Sequence, residues 1–227
     1  MEDKYEKFVR WYLRFNGYLT AENYVIHEAR NGHVPEGGEF DTLGVRFPHS
    51  REQVDQNLIR NDPRLDDGEV IADHLIDFVI AEVKSGNRNR LNGIWQPGND
   101  EEKVSRVAYL LRWMGALGDE QRITEVARRL QKEHRARDNG YLFRLVYFSH
   151  SHTQQAVPAI VPQITFREIA EFIVKLRTPC WKGYGLGVRS QHEQWDKLVC
   201  DIWDIGSPES HQSDAEKVEA VLALLSV

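Results

Sequence analysis

The sequence contains little cysteine and no long apolar run. Its 227 residues include two cysteines, Cys180 and Cys200, which are too few for a disulfide framework and do not form a metal-type pair. No segment approaches the roughly 18 uninterrupted apolar residues that a membrane-spanning helix needs. The chain begins with the acidic Met1-Glu2-Asp3, which is unlike a secretory signal. These features predict a cytoplasmic protein with no membrane partner.

The sequence also lacks an excess of basic residues. The chain has 29 lysines and arginines against 35 acidic residues, a formal net charge of −6. Proteins that hold nucleic acid mainly by sequence-independent charge are usually basic. A nucleic-acid function would therefore need a local basic face, or a metal ion that offsets the carboxylates. Hydrophobic residues make up 41% of the chain, which is enough for a folded core and excludes wholesale disorder.

Hydrophobic periodicity predicts alternating helices and strands. A helix is expected from Lys4 to Asn16 and a charged helix from about Arg122 to His134, and a further helix is expected to be capped by Asn99. Strands are expected at Tyr24–Ala29, Phe40–Phe47, Leu75–Lys84 and Tyr141–Phe148. The order is helix, three strands, helix and strand. It indicates an α/β fold with a mixed sheet flanked by helices.

The predicted organisation is a core domain over residues 1–150 and a helical C-terminal extension over residues 151–227, packed on the same domain. Two capping-box patterns, Thr165 to Glu168 and Ser213 to Glu216, begin helices in the extension. Residues 49–73 contain seven acids and three arginines and separate two otherwise consecutive strands. We interpret this segment as an acidic surface insertion.

Three charged residues fall where strands of the predicted sheet are expected to meet. Asp41 lies early in the second strand, and Glu82 and Lys84 lie at the end of the third. Glu82 and Lys84 are two residues apart, so their side chains share one face of the strand. Burying unpaired charge is costly, whereas carboxylate oxygens suit Mg²⁺. If the two strands pair, Asp41, Glu82 and the Val83 carbonyl can bind Mg²⁺ or Mn²⁺.

The residues Gly38-Glu39-Phe40-Asp41 and Ala81-Glu82-Val83-Lys84-Ser85-Gly86 resemble the motifs of the PD-(D/E)xK nuclease superfamily. The resemblance covers roughly residues 4–148, and it is closest to Holliday-junction resolvases and related restriction enzymes. It implies a restriction-endonuclease-like αβββαβ core and a metal-dependent nuclease. Asp41 and Glu82 would hold the metal and Lys84 would orient the attacking water or steady the phosphate, with Glu39 in support. Glu6 matches the glutamate that relatives supply from the first helix; Glu22 and Glu28 are weaker matches.

Two groups of polar and basic residues are candidates for nucleic-acid contact. The loop after the third strand has no acid between Val83 and Asn99 and contributes Arg88, Arg90 and Asn92, from which phosphate contacts are expected. Trp95 in this loop can stack on a base or pack against a helix. The charged helix contributes a second group, Arg128, Arg129 and Lys132. The alternatives are a polar loop and a solvated helix face.

The leading hypothesis is a Mg²⁺-dependent endonuclease that hydrolyses DNA in restriction, anti-phage defence or repair. A homodimer, or a protein partner that supplies specificity, fits the small acidic chain. Glu82 and Lys84 can instead form an ion pair on a solvated face with Asp41 at a strand edge. The alternatives for function are a ribonuclease, or a non-catalytic interaction module of the same fold that binds protein through its acidic insertion and C-terminal helices.

Overall fold

The structure is a computed structural model, and its elements alternate between helices and strands. It describes residues 3–25, 39–51, 53–54, 57–86, 90–98, 101–153, 157–178, 196–207 and 210–226. The α-helices within these residues are α1 Lys4–Phe15, α2 Gly68–Ala72, α3 Glu101–Met114, α4 Glu120–Glu133, α5 Phe166–Phe172, α6 Lys197–Ile205 and α7 Asp214–Leu225. A 3₁₀ turn, Gly93–Trp95, precedes α3, and a π-helical turn, Ile173–Arg177, follows α5.

A mixed sheet of six strands forms the centre of the fold. Its strands are β1 Leu19–Val25, β2 Glu39–Arg46, β5 Ile76–Lys84, β6 Arg135–Asp138, β7 Tyr141–Ser149 and β8 Gln163–Thr165. The order is β1-β2-β5-β7-β6, and β8 also pairs with β7. β5 and β7 are parallel, as are β7 and β8, and the other pairs are antiparallel. A separate small hairpin consists of β3 Gln53–Val54 and β4 Asn57–Leu58.

Helices cover both faces of the sheet, as the apolar run of β5 predicts. On one face, Val79, Ala81 and Val83 of β5 share a hydrophobic cluster with α1 and with the C-terminal helices. On the other, Phe78 and Ile80 pack with residues of α3 and α4. The predicted α/β class, with a mixed sheet flanked by helices, is therefore confirmed. Both capping boxes in the C-terminal third are also present.

Several element boundaries differ from the sequence predictions. β1 begins at Leu19 rather than Tyr24, and residues 26–29 and the cap residue Asn99 lie outside the described residues. β6 was not expected, because the charged residues Arg135, Arg137 and Asp138 do not form an apolar strand pattern. It is an edge strand, where charged side chains are common because they discourage pairing with other chains.

The acidic segment 49–73 is tied into the fold, contrary to its interpretation as a surface insertion. Leu65 is buried in the cluster on the α1 face. Asp62 is 0% exposed and accepts a hydrogen bond of 2.8 Å from the Tyr12 hydroxyl. Four acids of the segment form ion pairs with arginines: Asp62 with Arg64, Asp66 with Arg46, Asp67 with Arg135, and Asp73 with Arg137. Three of these arginines lie outside the segment, so the ion pairs connect it to the rest of the fold.

A buried charge network fixes the β2, β5 and β7 strands at the start of β5. Asp77 is 0% exposed and accepts hydrogen bonds of 2.9 Å from Arg144 on β7. It also lies 3.5 Å from Arg46 on β2 and accepts a bond of 2.5 Å from the Tyr18 hydroxyl. Burial and the negative charge of Asp77 raise the pKa of Tyr18, so its hydroxyl stays protonated. The strands are thus held in register at the end opposite Glu82 and Lys84.

Among the described residues, no helix is both long enough and apolar enough to cross a membrane.

The contact between Asp67 and Arg135 gives a test of how the acidic segment stabilises the fold. Asp67 caps α2 through a 3.0 Å bond from the Glu69 N–H. Burial tends to raise the pKa of Asp67, but the bonds from Arg135 and the Glu69 N–H outweigh it and lower the pKa below 3.8. A lowered pKa stabilises the folded state above the unfolded pKa, and this contribution is lost as the pH falls through the folded value.

We expect Asp67→Asn, which keeps a capping oxygen and loses the charge, to lower the free energy of unfolding by about 1 kcal/mol near neutral pH. Asp67→Ala, which also loses the cap, should cost about 1 kcal/mol more. Urea denaturation across a pH series measures both. The Asp67→Asn deficit should shrink in acid, and a deficit that does not change with pH would refute the assignment.

Candidate functional site

The β2 and β5 strands separate at Asp41, and its carboxylate occupies the gap. The last pair of their ladder is Thr42 with Ala81. One step further, Val83 N–H donates a hydrogen bond of 2.6 Å to Asp41 Oδ2. A side chain therefore takes the place of the backbone acceptor where β2 turns away, and β5 continues beside β7 to Lys84. The predicted pairing of these two strands is confirmed, and it brings Asp41 to the backbone between Glu82 and Lys84.

Glu82 and Lys84 form a close ion pair at the end of β5. Lys84 Nζ lies 2.7 Å from Glu82 Oε1. The Glu82 side chain is 4% exposed and that of Lys84 is 18% exposed. The ion pair of the alternative interpretation is therefore present, but it does not lie on a solvated face, because the Glu82 carboxylate is buried.

Asn92 closes this ion pair into a three-residue network. Its backbone N–H donates to Glu82 Oε1 at 2.9 Å, and its side-chain Oδ1 accepts from Lys84 Nζ at 2.9 Å. The sequence predicted that Asn92 contacts nucleic acid. In the structure it contacts both members of the ion pair, and its contact with nucleic acid stays a prediction. Asn92-Gly93 is a turn signal, but nothing in the local sequence indicates which partners its side chain has.

Burial raises the pKa of the Glu82 carboxyl, and this effect exceeds the opposing effects of Lys84 and Asn92. On the neighbouring strand, Tyr147 lies opposite Glu82 in the β5–β7 register. Burial, and then the negative charge of Glu82, raise the pKa of the Tyr147 hydroxyl. The carboxylate is therefore incompletely compensated by its surroundings, and a bound cation would stabilise its charged form.

The loop that presents Asn92 is anchored in the core. Trp95 is 0% exposed, and its ring centroid lies 6.0 Å from that of Phe40 on β2. Its carbonyl oxygen lies 2.7 Å from His134 Nε2 at the end of α4. Trp95 therefore packs against the helices, and the alternative in which it stacks on a base is wrong.

A cleft of about 400 Å³ opens next to the ion pair. Its lining residues are Lys84, Arg90, Leu91, Asn92, Gly93 and Gln96. Lys84 and Arg90 give it two cationic side chains. Arg88, the other basic residue predicted in this loop, lies outside the described residues.

The two supporting glutamates, Glu39 and Glu6, lie on β2 and α1. Glu39 begins β2, where its backbone pairs with Val25, but its side chain lies outside the described part of the structure. Glu6 is in the first turn of α1. The cap of this helix, Asp3, accepts a 2.9 Å hydrogen bond from the Ser85 hydroxyl, so α1 begins next to the end of β5. The roles of Glu6 and Glu39 stay predictions.

The basic residues of α4 lie on its exposed surface. Arg128 pairs with Glu101 at 3.5 Å, and Arg129 pairs with Glu125 at 3.9 Å. Lys132 is exposed. None of the three lines the cleft beside Lys84, and their contact with nucleic acid stays a prediction.

The candidate donors are of the chemical kind that a hard divalent cation binds. Asp41 and Glu82 could offer carboxylate oxygens and Val83 a carbonyl oxygen, and Mg²⁺ is commonly held by one or two carboxylates with water and substrate oxygens. In the part of the chain that the structure describes, no group of three or more histidine, cysteine, aspartate or glutamate side chains is arranged to hold a metal. The metal site stays a prediction.

Comparison of the chain with protein-family models, curated proteins and solved structures found no match.

The buried ion pair makes a thermodynamic prediction that is independent of any activity. We expect Lys84→Met to lower the free energy of unfolding by about 1–3 kcal/mol, because it leaves a buried carboxylate without its cation. Adding Glu82→Gln should recover most of this loss, because neither charge then remains. Urea denaturation of the two single variants and the double variant, without divalent cations, measures the coupling. Losses that simply add would show that the two side chains do not depend on each other.

Proposed function

We propose that this protein is a Mg²⁺- or Mn²⁺-dependent nuclease that hydrolyses phosphodiester bonds in DNA, with the restriction-endonuclease-like fold of the PD-(D/E)xK superfamily. One observation carries the proposal: Asp41 accepts a hydrogen bond from the backbone between Glu82 and Lys84, and Lys84, the partner of the buried Glu82 carboxylate, lines a cleft with cationic side chains. The choice of DNA rests on the resemblance of the sequence motifs.

Asp41, Glu82 and the Val83 carbonyl would hold the metal ion. A bound divalent cation neutralises charge that develops on the phosphate and lowers the pKa of its bound water. Asp41 is hydrogen-bonded to the backbone that follows Glu82, which holds its carboxylate next to β5. Glu82 is held from the other side by the N–H of Asn92.

Lys84 would act on the phosphate or on the attacking water. Its Nζ is a hydrogen-bond donor that lines the cleft and contacts Glu82. A donor placed where negative charge develops stabilises the transition state most in a site that excludes water. The Lys84 side chain is 18% exposed, so it is partly shielded from water.

Arg90 would bind a phosphate of the nucleic-acid backbone from the cleft wall. Four acids of segment 49–73 pair with arginines of the protein, so their negative charge is compensated locally. A second copy of the chain or another protein would supply sequence or structure specificity. Restriction, anti-phage defence and repair remain the proposed settings.

The proposal is tested by incubating purified protein with plasmid DNA, single-stranded DNA and structured RNA, with Mg²⁺, with Mn²⁺ and with chelator. We expect metal-dependent DNA cleavage. Asp41→Asn, Glu82→Gln and Lys84→Met should each lower its rate by about 10²–10³-fold, since each removes several kcal/mol of transition-state stabilisation.

Arg112→Ala is the matched control, because Arg112 forms a surface ion pair with Glu120 between α3 and α4. It should cleave at the wild-type rate. Cleavage of RNA but not DNA would indicate that the protein is a ribonuclease. If the folded wild-type protein cleaves none of the substrates with either metal, the nuclease is refuted and the non-catalytic interaction module becomes the better hypothesis.

A further inference from the structure

We infer that Asn92 is a positioning residue, whose side-chain oxygen keeps Lys84 directed into the cleft when Glu82 turns to a metal ion. This inference rests on the proposed nuclease function. In the structure, the Lys84 ammonium group has two acceptors, Glu82 Oε1 at 2.7 Å and Asn92 Oδ1 at 2.9 Å. Only the first of these is a metal-ligand candidate.

The conformation of Asn92 supports a specific role. Asn92 is the residue before the 3₁₀ turn Gly93–Trp95, the position at which an asparagine side chain usually accepts a hydrogen bond from the turn's own backbone. Among the described residues it makes no such capping bond. Its Oδ1 accepts from Lys84 instead, so the turn is formed without the local bond that the side chain could have made.

The loop is rigid enough for Asn92 to hold a neighbour in place. The turn is anchored by the buried Trp95. Gln131 on α4 donates to the Ile94 carbonyl at 3.3 Å, and Gln96 donates to the Leu91 carbonyl at 2.9 Å. Asn92 is therefore fixed from both sides, and a lysine bound to it loses freedom in its four side-chain torsions.

Metal binding changes the two acceptors differently. A divalent cation competes with Lys84 for the Glu82 carboxylate, and it can draw Oε1 away from the ammonium group. The amide oxygen of Asn92 is neutral and is presented by a separate loop, so it stays beside Lys84. Without it, a long and flexible side chain in a cleft would sample several positions, which costs catalysis rather than substrate binding.

The first experiment compares steady-state cleavage by wild type, Asn92→Ala, Asn92→Asp, Arg90→Ala, Lys84→Met and the Asn92→Ala/Lys84→Met double variant. Loss of a hydrogen bond to a charged group predicts that Asn92→Ala lowers kcat by about 10–100-fold while KM changes by no more than about twofold. Asn92→Asp keeps an acceptor oxygen at the same place and should recover most of kcat. Arg90→Ala is the contrast, with a raised KM and little change in kcat.

The double variant shows whether Asn92 acts through Lys84. It should be no slower than Lys84→Met alone, because a residue that only positions Lys84 has no effect once Lys84 is removed. An Asn92→Ala variant with wild-type kcat, or a double variant whose losses multiply, overturns the inference while leaving the proposed function intact.

The second experiment does not depend on activity. Lys84 of wild type and Asn92→Ala is acetylated with limiting reagent in the presence of Mn²⁺, and the rate is measured by mass spectrometry against the exposed Lys132. Faster modification of Lys84 in Asn92→Ala supports the inference, whether or not the wild-type protein cleaves a substrate. A wild-type protein that cleaves none would refute only the proposed nuclease function. Equal rates overturn the inference.

Discussion

A buried carboxylate at the end of a central strand is the constraint on which the rest of the site depends. Glu82 lies near the end of the mostly apolar strand β5 and is 4% exposed, so its charge has to be compensated locally. Lys84 supplies a cation and Asn92 an N–H, yet burial still raises the pKa of Glu82. The divergence of β2 adds a second carboxylate, Asp41, beside the same backbone. A cation bound there would relieve the cost of burying the Glu82 carboxylate.

The fold contributes to this arrangement from a distance. At the start of β5, the network around Asp77 fixes the neighbouring strands through Arg46 and Arg144. At the end of β5, the strands separate and polar side chains replace the ladder. The sheet is fixed at one end, and at the other end its strands separate beside the cleft that Lys84 lines. The cleft loop is anchored in the core by the buried Trp95.

Local periodicity in the sequence was enough to predict some features of the fold and of the candidate site. The period of two in a strand places Glu82 and Lys84 on one face, and the apolar run of β5 predicts burial on both sides. Contacts between distant residues left no local signal. The pairing of the acids of segment 49–73 with Arg46, Arg135 and Arg137 depends on tertiary packing, as does the contact of Asn92 with Lys84. β6 could not be predicted for a related reason. Its charged residues suit an edge strand, but the arrangement of the whole sheet decides which strand lies at an edge.

Calorimetric titration of the protein with Mn²⁺ shows whether Asp41 and Glu82 together bind a divalent cation. We expect one site per chain, with binding abolished by Asp41→Asn and by Glu82→Gln and preserved in Arg112→Ala, each variant being shown to be folded. Binding of unchanged affinity in both acid variants, or no binding by the wild-type protein, would refute this shared site.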